Sequence, residues 1–217
     1  MAAQPKVIFL DAVGTLFGVR GSVGKIYSEI AQQFGVVCDA AAVNQAFFAA
    51  FKTATPMAFP DSEPTSIPYQ EYLWWETIAR QTFDAVGALG QFANFEEFFA
   101  ELYAHFATAA PWEVYPDTLA SLERWQARGI ELGVLSNFDS RLYSVLEVLR
   151  LADFFRSVTI STEVGAPKPD PLIFATALQK HRCAPQEAWH VGDSYKEDYE
   201  GAKAAGLKGI WLNRQKR

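Results

Sequence analysis

Four polar segments of this chain carry residue types that can do chemistry. Asp11 begins the segment Asp-Ala-Val-Gly-Thr after an apolar run, Ser136 and Asn137 follow a second run, and Asp193 follows a third, with Asp198 shortly after it. A lysine, Lys168, lies in the loop between the second and third of these segments. Carboxylates can attack an electrophile or hold a divalent cation, whereas a lysine and a hydroxyl can hold an anion. The set predicts a local site for a small anion.

A parallel sheet would bring these segments together. Residues 6–11 form a short, continuously apolar run that ends on a carboxylate, as in a strand buried on both faces. Similar runs recur at 130–136, 157–161, 188–192 and 208–212. Helical patterns separate them, as at 117–128, where Asp117 is the expected N-cap, and at 197–205. The alternation predicts an α/β fold with a doubly wound parallel sheet, Rossmann-like, whose ligands bind beyond the carboxyl ends of the strands.

Residues 17–112 break this alternation. They show no clear strand and instead give helical patterns near 22–34, 39–52, 68–86 and 95–108, with a loop rich in Pro, Ser and Thr at 53–68. We therefore predict a Rossmann-like catalytic core from residues 1–16 and 113–217, and an inserted four-helix cap from residues 17–112. A cap that closes over a site excludes water and selects the substrate.

Several single residues have two interpretations. Trp74 and Trp75 point about 100° apart on one predicted helix, so one can face a core while the other lines the entrance or a partner surface. Arg20 could meet a substrate anion, although a solvated arginine is the more common case. We interpret His190 as a satisfied core histidine, Asp139 as a helix N-cap, and residues 213–217 as a short, solvated basic tail.

Composition excludes several classes of protein. The chain has 217 residues, of which 50% are hydrophobic and 20% charged, which excludes a disordered chain. Its 19 Lys and Arg against 25 Asp and Glu give a net charge of −6, which argues against a nucleic-acid partner. Cys38 and Cys183 match no metal or disulfide spacing, and no apolar stretch has the length of a signal peptide or a membrane span. We expect a cytoplasmic protein with no membrane partner, either monomeric or homodimeric.

The four polar segments, in this order, resemble the motifs of the haloacid dehalogenase-like hydrolases. That family has an Asp-x-Asp-x-Thr strand end, then a strand-end Ser or Thr, a lysine and a paired acidic motif, and the insertion is similar to its small helical cap. Residues 135–142 (Leu-Ser-Asn-Phe-Asp-Ser-Arg-Leu) and 190–195 (His-Val-Gly-Asp-Ser-Tyr) are most similar to the branch called rhythmically-expressed-gene-like.

The resemblance implies a role for each residue. Asp11 would attack phosphorus and form an aspartyl-phosphate, and Thr15 would orient the loop that follows it. Phosphoryl oxygens would be bound by Ser136, Asn137 and Lys168 and by the backbone of Ala12, Val13 and Gly14. A Mg²⁺ ion would be held by Asp11, Asp193 and the carbonyl of Val13, with Asp198 as a second acid near the metal or the lysine.

Val13 departs from the family pattern. Phosphatases of the family have a second Asp at this position, as general acid and base, and such help contributes ~10²- to 10⁴-fold. We therefore expect a Mg²⁺-dependent hydrolase of a small phosphorylated metabolite that is slow or limited to good leaving groups, such as acyl or aryl phosphates. The alternatives are a phospho-ligand-binding or regulatory protein with little catalysis, a 2-haloacid dehalogenase, and a phosphonate hydrolase. The last would need a cap lysine, and the predicted cap contains Lys25 and Lys52.

Overall fold

A five-stranded parallel sheet forms the centre of the molecule in the computed structural model, which describes residues 4–214. Its strands are β1 (Val7–Leu10), β4 (Glu131–Ser136), β5 (Ser157–Ile160), β6 (Ala188–Gly192) and β7 (Lys208–Trp211). Their order across the sheet is β5-β4-β1-β6-β7, and Leu10 at the end of β1 pairs with Val134 and Val191 on its two neighbours. The carboxyl ends of these strands therefore lie at one edge.

Apolar clusters cover both faces of this sheet. Ile8 and Leu10 belong to the cluster on one face, and Val7 and Phe9 to the cluster on the other. Both faces of β1 are thus buried, which explains its continuous apolar run. The flanking helices are α5 (Thr118–Gln126), α6 (Arg141–Val148), α7 (Ser161–Val164), α8 (Pro171–His181) and α9 (Gly201–Ala204), the last preceded by a π-helical turn (Tyr195–Glu200). The predicted α/β, Rossmann-like fold is confirmed.

Four longer helices precede the second strand of the sheet and surround an apolar cluster of their own, in which Phe83 and Phe98 are fully buried. Side chains cap three of them: Ser22, Asp39 and Asn94 accept the backbone N–H of the residue three positions on. These helices lie within a few residues of the predicted ranges, and in residues 4–214 no helix is both long and apolar enough to cross a membrane. They are α1 (Val23–Gln33), α2 (Ala40–Thr53), α3 (Ile67–Ala85) and α4 (Phe95–His105).

A small antiparallel ribbon lies where the helical insertion leaves and rejoins the rest of the chain. It consists of β2 (Phe17–Val19) and β3 (Trp112–Val114), with Phe17 opposite Val114. The prediction that residues 17–112 contain no strand is therefore wrong. Strands of three residues are too short for alternation to be recognised, and their pairing joins segments that are distant in sequence.

Candidate active site

Asp11 directly follows β1, and two donors from other elements meet its carboxylate. Ser136, at the end of β4, donates through Oγ to Asp11 Oδ1 at 2.8 Å. Lys168, from the loop between α7 and α8, donates through Nζ to the same oxygen at 2.8 Å. All three residues are buried. The sheet edge therefore assembles a carboxylate, a hydroxyl and an ammonium group, as the sequence predicts.

Asp198 holds the other side of the Lys168 ammonium group. Its Oδ1 lies 2.5 Å from Lys168 Nζ, and its Oδ2 accepts the backbone N–H of Ser194 at 2.9 Å. Burial opposes both charges, but the attraction of Asp11 and Asp198 outweighs it and raises the pKa of Lys168. Lys168 and a hydrogen bond from His190 hold the pKa of Asp198 below its usual range, although burial opposes this. The sequence predicted Asp198 either near the metal or near the lysine, and its carboxylate contacts the lysine.

His190 lies in β6 and is fully buried. Its Nε2 is 2.8 Å from Asp198 Oδ1, and burial lowers the pKa of the imidazole. A neutral imidazole beside a carboxylate donates its proton at that nitrogen, so Nε2–H orients Asp198. Nδ1 has no hydrogen-bond partner among residues 4–214. The core position of His190 agrees with its sequence interpretation, but that interpretation missed its link to the site; a polar ring in an apolar strand was the available signal.

Asn137 ties the end of β4 to the lysine loop. Its Nδ2 donates to the Lys168 carbonyl at 3.0 Å, and its Oδ1 accepts the Lys168 N–H at 2.7 Å. The reciprocal pair fixes the backbone from which the lysine side chain extends. Asn137, which is also a predicted phosphate ligand, thus positions Lys168 through its side chain.

The loop after Asp11 approaches Asp193 closely. Gly14 has a φ of +91°, and a Cβ at this position would collide with the Asp193 carboxylate. Only glycine satisfies both constraints. The Gly14 N–H, one of the predicted phosphate donors, donates to the Phe17 carbonyl at 2.8 Å. Thr15 is buried, and its hydroxyl has no partner within the described part of the chain.

Arg214 holds the same loop from outside. Its guanidinium donates to the carbonyls of Gly14 at 3.1 Å and Thr15 at 2.5 Å, pairs with Asp117 at 2.9 Å, and stacks over Tyr115 at 3.8 Å from the ring centroid. The prediction of a solvated tail is wrong for this residue, because the contacts come from segments far away in sequence. Residues 215–217 of the predicted tail lie outside the described residues.

Three carboxylates converge beside Lys168. Asp11, Asp193 and Asp198 each place one oxygen within 4.8 Å of the others. Burial, and then repulsion from Asp11 and Asp198, raise the pKa of Asp193 from 3.8 to about 6. An excess of oxygen donors with unbalanced negative charge is the chemistry that Mg²⁺ prefers. The residues present therefore fit a divalent cation.

A cavity of 270 Å³ lies next to this site, between the helical insertion and the sheet edge. Val13 and Asn137 line it from the sheet, and aromatic side chains line it from the insertion, among them Phe47, Phe51, Trp75 and Tyr103. Trp75 lines this cavity, whereas Trp74 donates through Nε1 to the Thr55 carbonyl. Arg20 is exposed, donates to the Trp112 carbonyl at 3.1 Å and does not line this cavity.

Polar contacts fasten the insertion to residues 139–141. Asp139 lies one residue before Ser140, the N-cap of α6, and accepts the Arg141 N–H at 3.0 Å. It also pairs with the Arg141 guanidinium at 2.6 Å and accepts Trp75 Nε1–H at 2.6 Å. Glu71 of α3 is fully buried; it accepts the Ser140 N–H at 3.0 Å and also the Ser140 hydroxyl. The prediction of Asp139 as the N-cap is therefore wrong by one residue, since Ser140 occupies that position; Asp139 instead joins the insertion to the start of α6. The sequence contains no local signal for Glu71.

Comparison with known sequences identifies relatives over almost the whole chain. The haloacid dehalogenase-like hydrolase domain-containing protein 3 of Bos taurus is 35% identical over 209 residues, 94% of this chain and 80% of that protein. The rhythmically expressed gene 2 protein of Drosophila melanogaster is 31% identical, over 93% of this chain and 80% of that protein. The predicted likeness to this branch is confirmed.

Solved structures share the fold. A HAD phosphatase from Thermococcus onnurineus has a TM-score of 0.65 at 25% identity, with 98% of this chain and 88% of that chain covered. A dehalogenase solved with an intermediate complex has a TM-score of 0.70 at 19% identity, with 100% and 88% covered, a likeness that shows the fold alone. The family described as haloacid dehalogenase-like hydrolase matches residues 5–206, so this chain is a member of the haloacid dehalogenase-like hydrolases.

Proposed function

We propose that this protein is a Mg²⁺-dependent phosphohydrolase that acts on a small phosphorylated metabolite through an aspartyl-phosphate and requires a good leaving group. One observation carries the proposal. Oδ1 of Asp11 accepts hydrogen bonds from both Ser136 and Lys168, and the Asp11 carboxylate lies within 4.8 Å of the Asp193 carboxylate. A nucleophile, an anion-binding pair and a cation site thus meet at one strand end.

The chemistry of the first step follows from the contacts of Asp11. Because Ser136 and Lys168 both donate to Oδ1, Oδ2 is the oxygen that attacks phosphorus. The ammonium group of Lys168, held by Asp198, stabilises the negative charge that develops on the phosphoryl oxygens. Asn137 and His190 act as positioning residues, the first on the lysine backbone and the second on Asp198.

The metal would be held by Asp11, Asp193 and the carbonyl of Val13, while Asp198 stays with the lysine. When bound, Mg²⁺ would supply charge that screens the repulsion between Asp11 and a phosphoryl group and polarises a phosphoryl oxygen. Gly14 provides the space in which Asp193 approaches the loop.

The leaving group must depart without a proton from position 13, because the Val13 side chain has none to give. The phenolate of an aryl phosphate and the carboxylate of an acyl phosphate leave readily as anions, whereas the alkoxide of an alkyl phosphate does not. Aryl and acyl phosphates are therefore the expected substrates.

The test is phosphate release from acetyl phosphate and 4-nitrophenyl phosphate, with Mg²⁺ and with EDTA. We expect release that requires Mg²⁺ and is abolished in Asp11→Asn. The matched control is Asp61→Asn, which changes an exposed aspartate of the insertion and keeps the activity. Equal release by Asp11→Asn, or release that EDTA leaves unchanged, would contradict the proposal.

Dehalogenation of a small 2-halo acid is the second candidate, and Val13 beside an apolar cavity is the observation that favours it. The cluster of three carboxylates argues against it, because attack on carbon needs no divalent cation. Chloride release from 2-chloropropionate that does not need Mg²⁺ would establish this candidate. Tight calorimetric binding of a phosphorylated metabolite without turnover would indicate a binding protein instead. Phosphonate hydrolysis lacks its lysine, since neither Lys25 nor Lys52 lines the cavity and both are exposed.

A further inference from the structure

We infer that the cavity beside Val13 holds the aryl group of the substrate, an aromatic ring system without a charged substituent, so that the substrates are aryl phosphate monoesters. This inference rests on the proposed function and adds the substrate class to it. It depends on the apolar lining of the cavity, the contacts that hold the Arg141 guanidinium, the volume of the cavity and its position beside Asp11.

The lining is apolar and mostly aromatic. Phe47, Phe51 and Trp75 form one stacked group, with ring centroids 5.8 to 6.5 Å apart and interplanar angles of 4° to 27°. Tyr103 and Phe106 line the cavity from the end of the insertion. Such surfaces bind ring faces and edges well and leave the hydroxyl groups of a sugar or glycerol unpaired.

Arg141 is the charged side chain among the residues that line the cavity, and other groups already hold it. Two of its nitrogens contact Asp139 at 2.9 and 2.6 Å, and a third donates to the Tyr103 carbonyl at 3.1 Å. Its guanidinium also lies 3.8 Å from the Tyr103 ring centroid. Because Asp139 balances its charge, Arg141 does not select for a second anionic group on the ligand.

The volume fits a ring system. Apolar cavities of about 150 Å³ bind benzene, so the 270 Å³ here accommodates a fused pair of rings or a substituted phenyl group.

The position of the cavity places the aryl ring of the ligand next to the bond that breaks. Val13 is two residues after Asp11, and Asn137 directly follows Ser136, so the floor of the cavity is made of the segments that hold the nucleophile and its hydroxyl donor. Phosphorus lies at the sheet edge, and the aryl group extends over Val13.

Hydrolysis of an aryl phosphate takes two chemical steps. An Asp11 oxygen forms a bond to phosphorus while the bond between phosphorus and the phenolic oxygen breaks, and the electron pair leaves as phenolate, which takes a proton from water. Water then cleaves the aspartyl-phosphate to give inorganic phosphate and the free carboxylate. A phenolate needs no general acid, which is consistent with valine at position 13.

The first test is calorimetric binding to Asp11→Asn protein in Mg²⁺, which separates binding from turnover. We expect 1-naphthyl phosphate to bind about tenfold or more tightly than phenyl phosphate, since it buries an additional ring. Glycerol phosphate and 4-carboxyphenyl phosphate should both bind more weakly than phenyl phosphate. Equal affinities across the series, or tightest binding of the carboxylate, would overturn the inference.

The second test fills the cavity. Val23, at the start of α1, lines it and is 8% exposed, so Val23→Phe should remove the preference for the naphthyl over the phenyl ester. Val37→Phe makes the same change at a residue that is 77% exposed and should keep the preference. A thermal melt verifies the fold of both, and an unchanged preference in folded Val23→Phe would contradict the assignment.

The outcomes separate the two proposals. Phosphate release from acetyl phosphate that depends on Asp11, with no preference for aryl ligands, would leave the proposed function standing and refute the aryl group. Naphthyl phosphate that binds in the cavity but is never hydrolysed would support the inference about the ligand and refute phosphohydrolase activity.

Discussion

Among single residues, Asp193 bears the least compensated charge of the site. Burial and two neighbouring carboxylates raise its pKa from 3.8 to about 6. The folded state therefore binds this proton more tightly than the unfolded chain, so without metal the stability falls as the pH rises from about 4 to about 6 and stays low above that range. We expect Asp193→Asn in EDTA to melt at a higher temperature than the unmodified protein at about pH 7.5, with a smaller difference at about pH 5.

Addition of Mg²⁺ supplies the control for this prediction. The ion should raise the melting temperature of the unmodified protein at neutral pH and leave that of Asp193→Asn nearly unchanged, because the variant lacks a charged ligand. A variant that melts lower than the unmodified protein in EDTA at neutral pH would mean that the Asp193 carboxylate stabilises the apo fold.

Val13 is the reason why we expect a requirement for a good leaving group, and a proton donor at this position should remove that requirement. Val13→Asp places a carboxyl group at the junction of the site and the cavity, where it can protonate a departing alkoxide. We expect release of phosphate from glycerol phosphate to rise about tenfold or more. Val13→Asn, which is similar in size but transfers no proton, should give no increase. If both variants leave the rate unchanged, another group already supplies the proton.

The loop after β1 is held in place by Arg214, a residue about 200 positions further along the chain. Arg214 donates to two of its carbonyls, and its side chain is only 18% exposed. We expect Arg214→Ala to lower the free energy of unfolding by about 2 kcal/mol, since charged hydrogen bonds are lost. The turnover number should fall about tenfold, because the nucleophile is no longer held in register. Urea unfolding and steady-state kinetics measure the two effects.

Two variants test the specificity of that contact. Arg214→Lys retains the charge but cannot reach both carbonyls with one ammonium group, so intermediate values are expected for stability and rate. Arg124→Ala removes an exposed arginine of α5 and should change neither. Full activity in Arg214→Ala would show that the loop holds its shape through Gly14 and its own hydrogen bonds.

The elements were largely predictable because their signals are local. A continuous apolar run marks β1, and periodic apolar positions mark the helices of the insertion. The order of the polar segments predicted that Asp11, Ser136 and Lys168 would meet, since parallel strands end at one edge. The contacts of Arg214 and Glu71 and the pairing of β2 with β3 were missed, because each joins segments far apart in sequence and leaves no pattern in either.

For the whole molecule, the helical insertion and the strand that carries Ser136 share one junction. Residues 139–141 follow Ser136 and Asn137 after one intervening residue, Phe138. They are hydrogen-bonded to Glu71, Trp75 and the Tyr103 carbonyl of the insertion. A shift of the insertion would therefore move the segment that holds the hydroxyl donor and, through Asn137, the lysine loop. The fit of a ligand under the insertion and the geometry around Asp11 are thus mechanically linked.

Glu71 is the contact of this junction that can be removed with the least change to the cavity, since it does not line it. Its buried carboxylate accepts two hydrogen bonds from Ser140 at the start of α6. Glu71→Ala should lower the free energy of unfolding by about 2 kcal/mol in urea and speed amide exchange of residues 139–141, because a backbone donor loses its partner. Glu29→Ala, which breaks an exposed pair with Lys25 at 3.8 Å, should cost less than about 0.5 kcal/mol. Unchanged stability and exchange in Glu71→Ala would mean that the cost of burying its charge equals the gain from Ser140, and that apolar packing alone joins the insertion to the sheet.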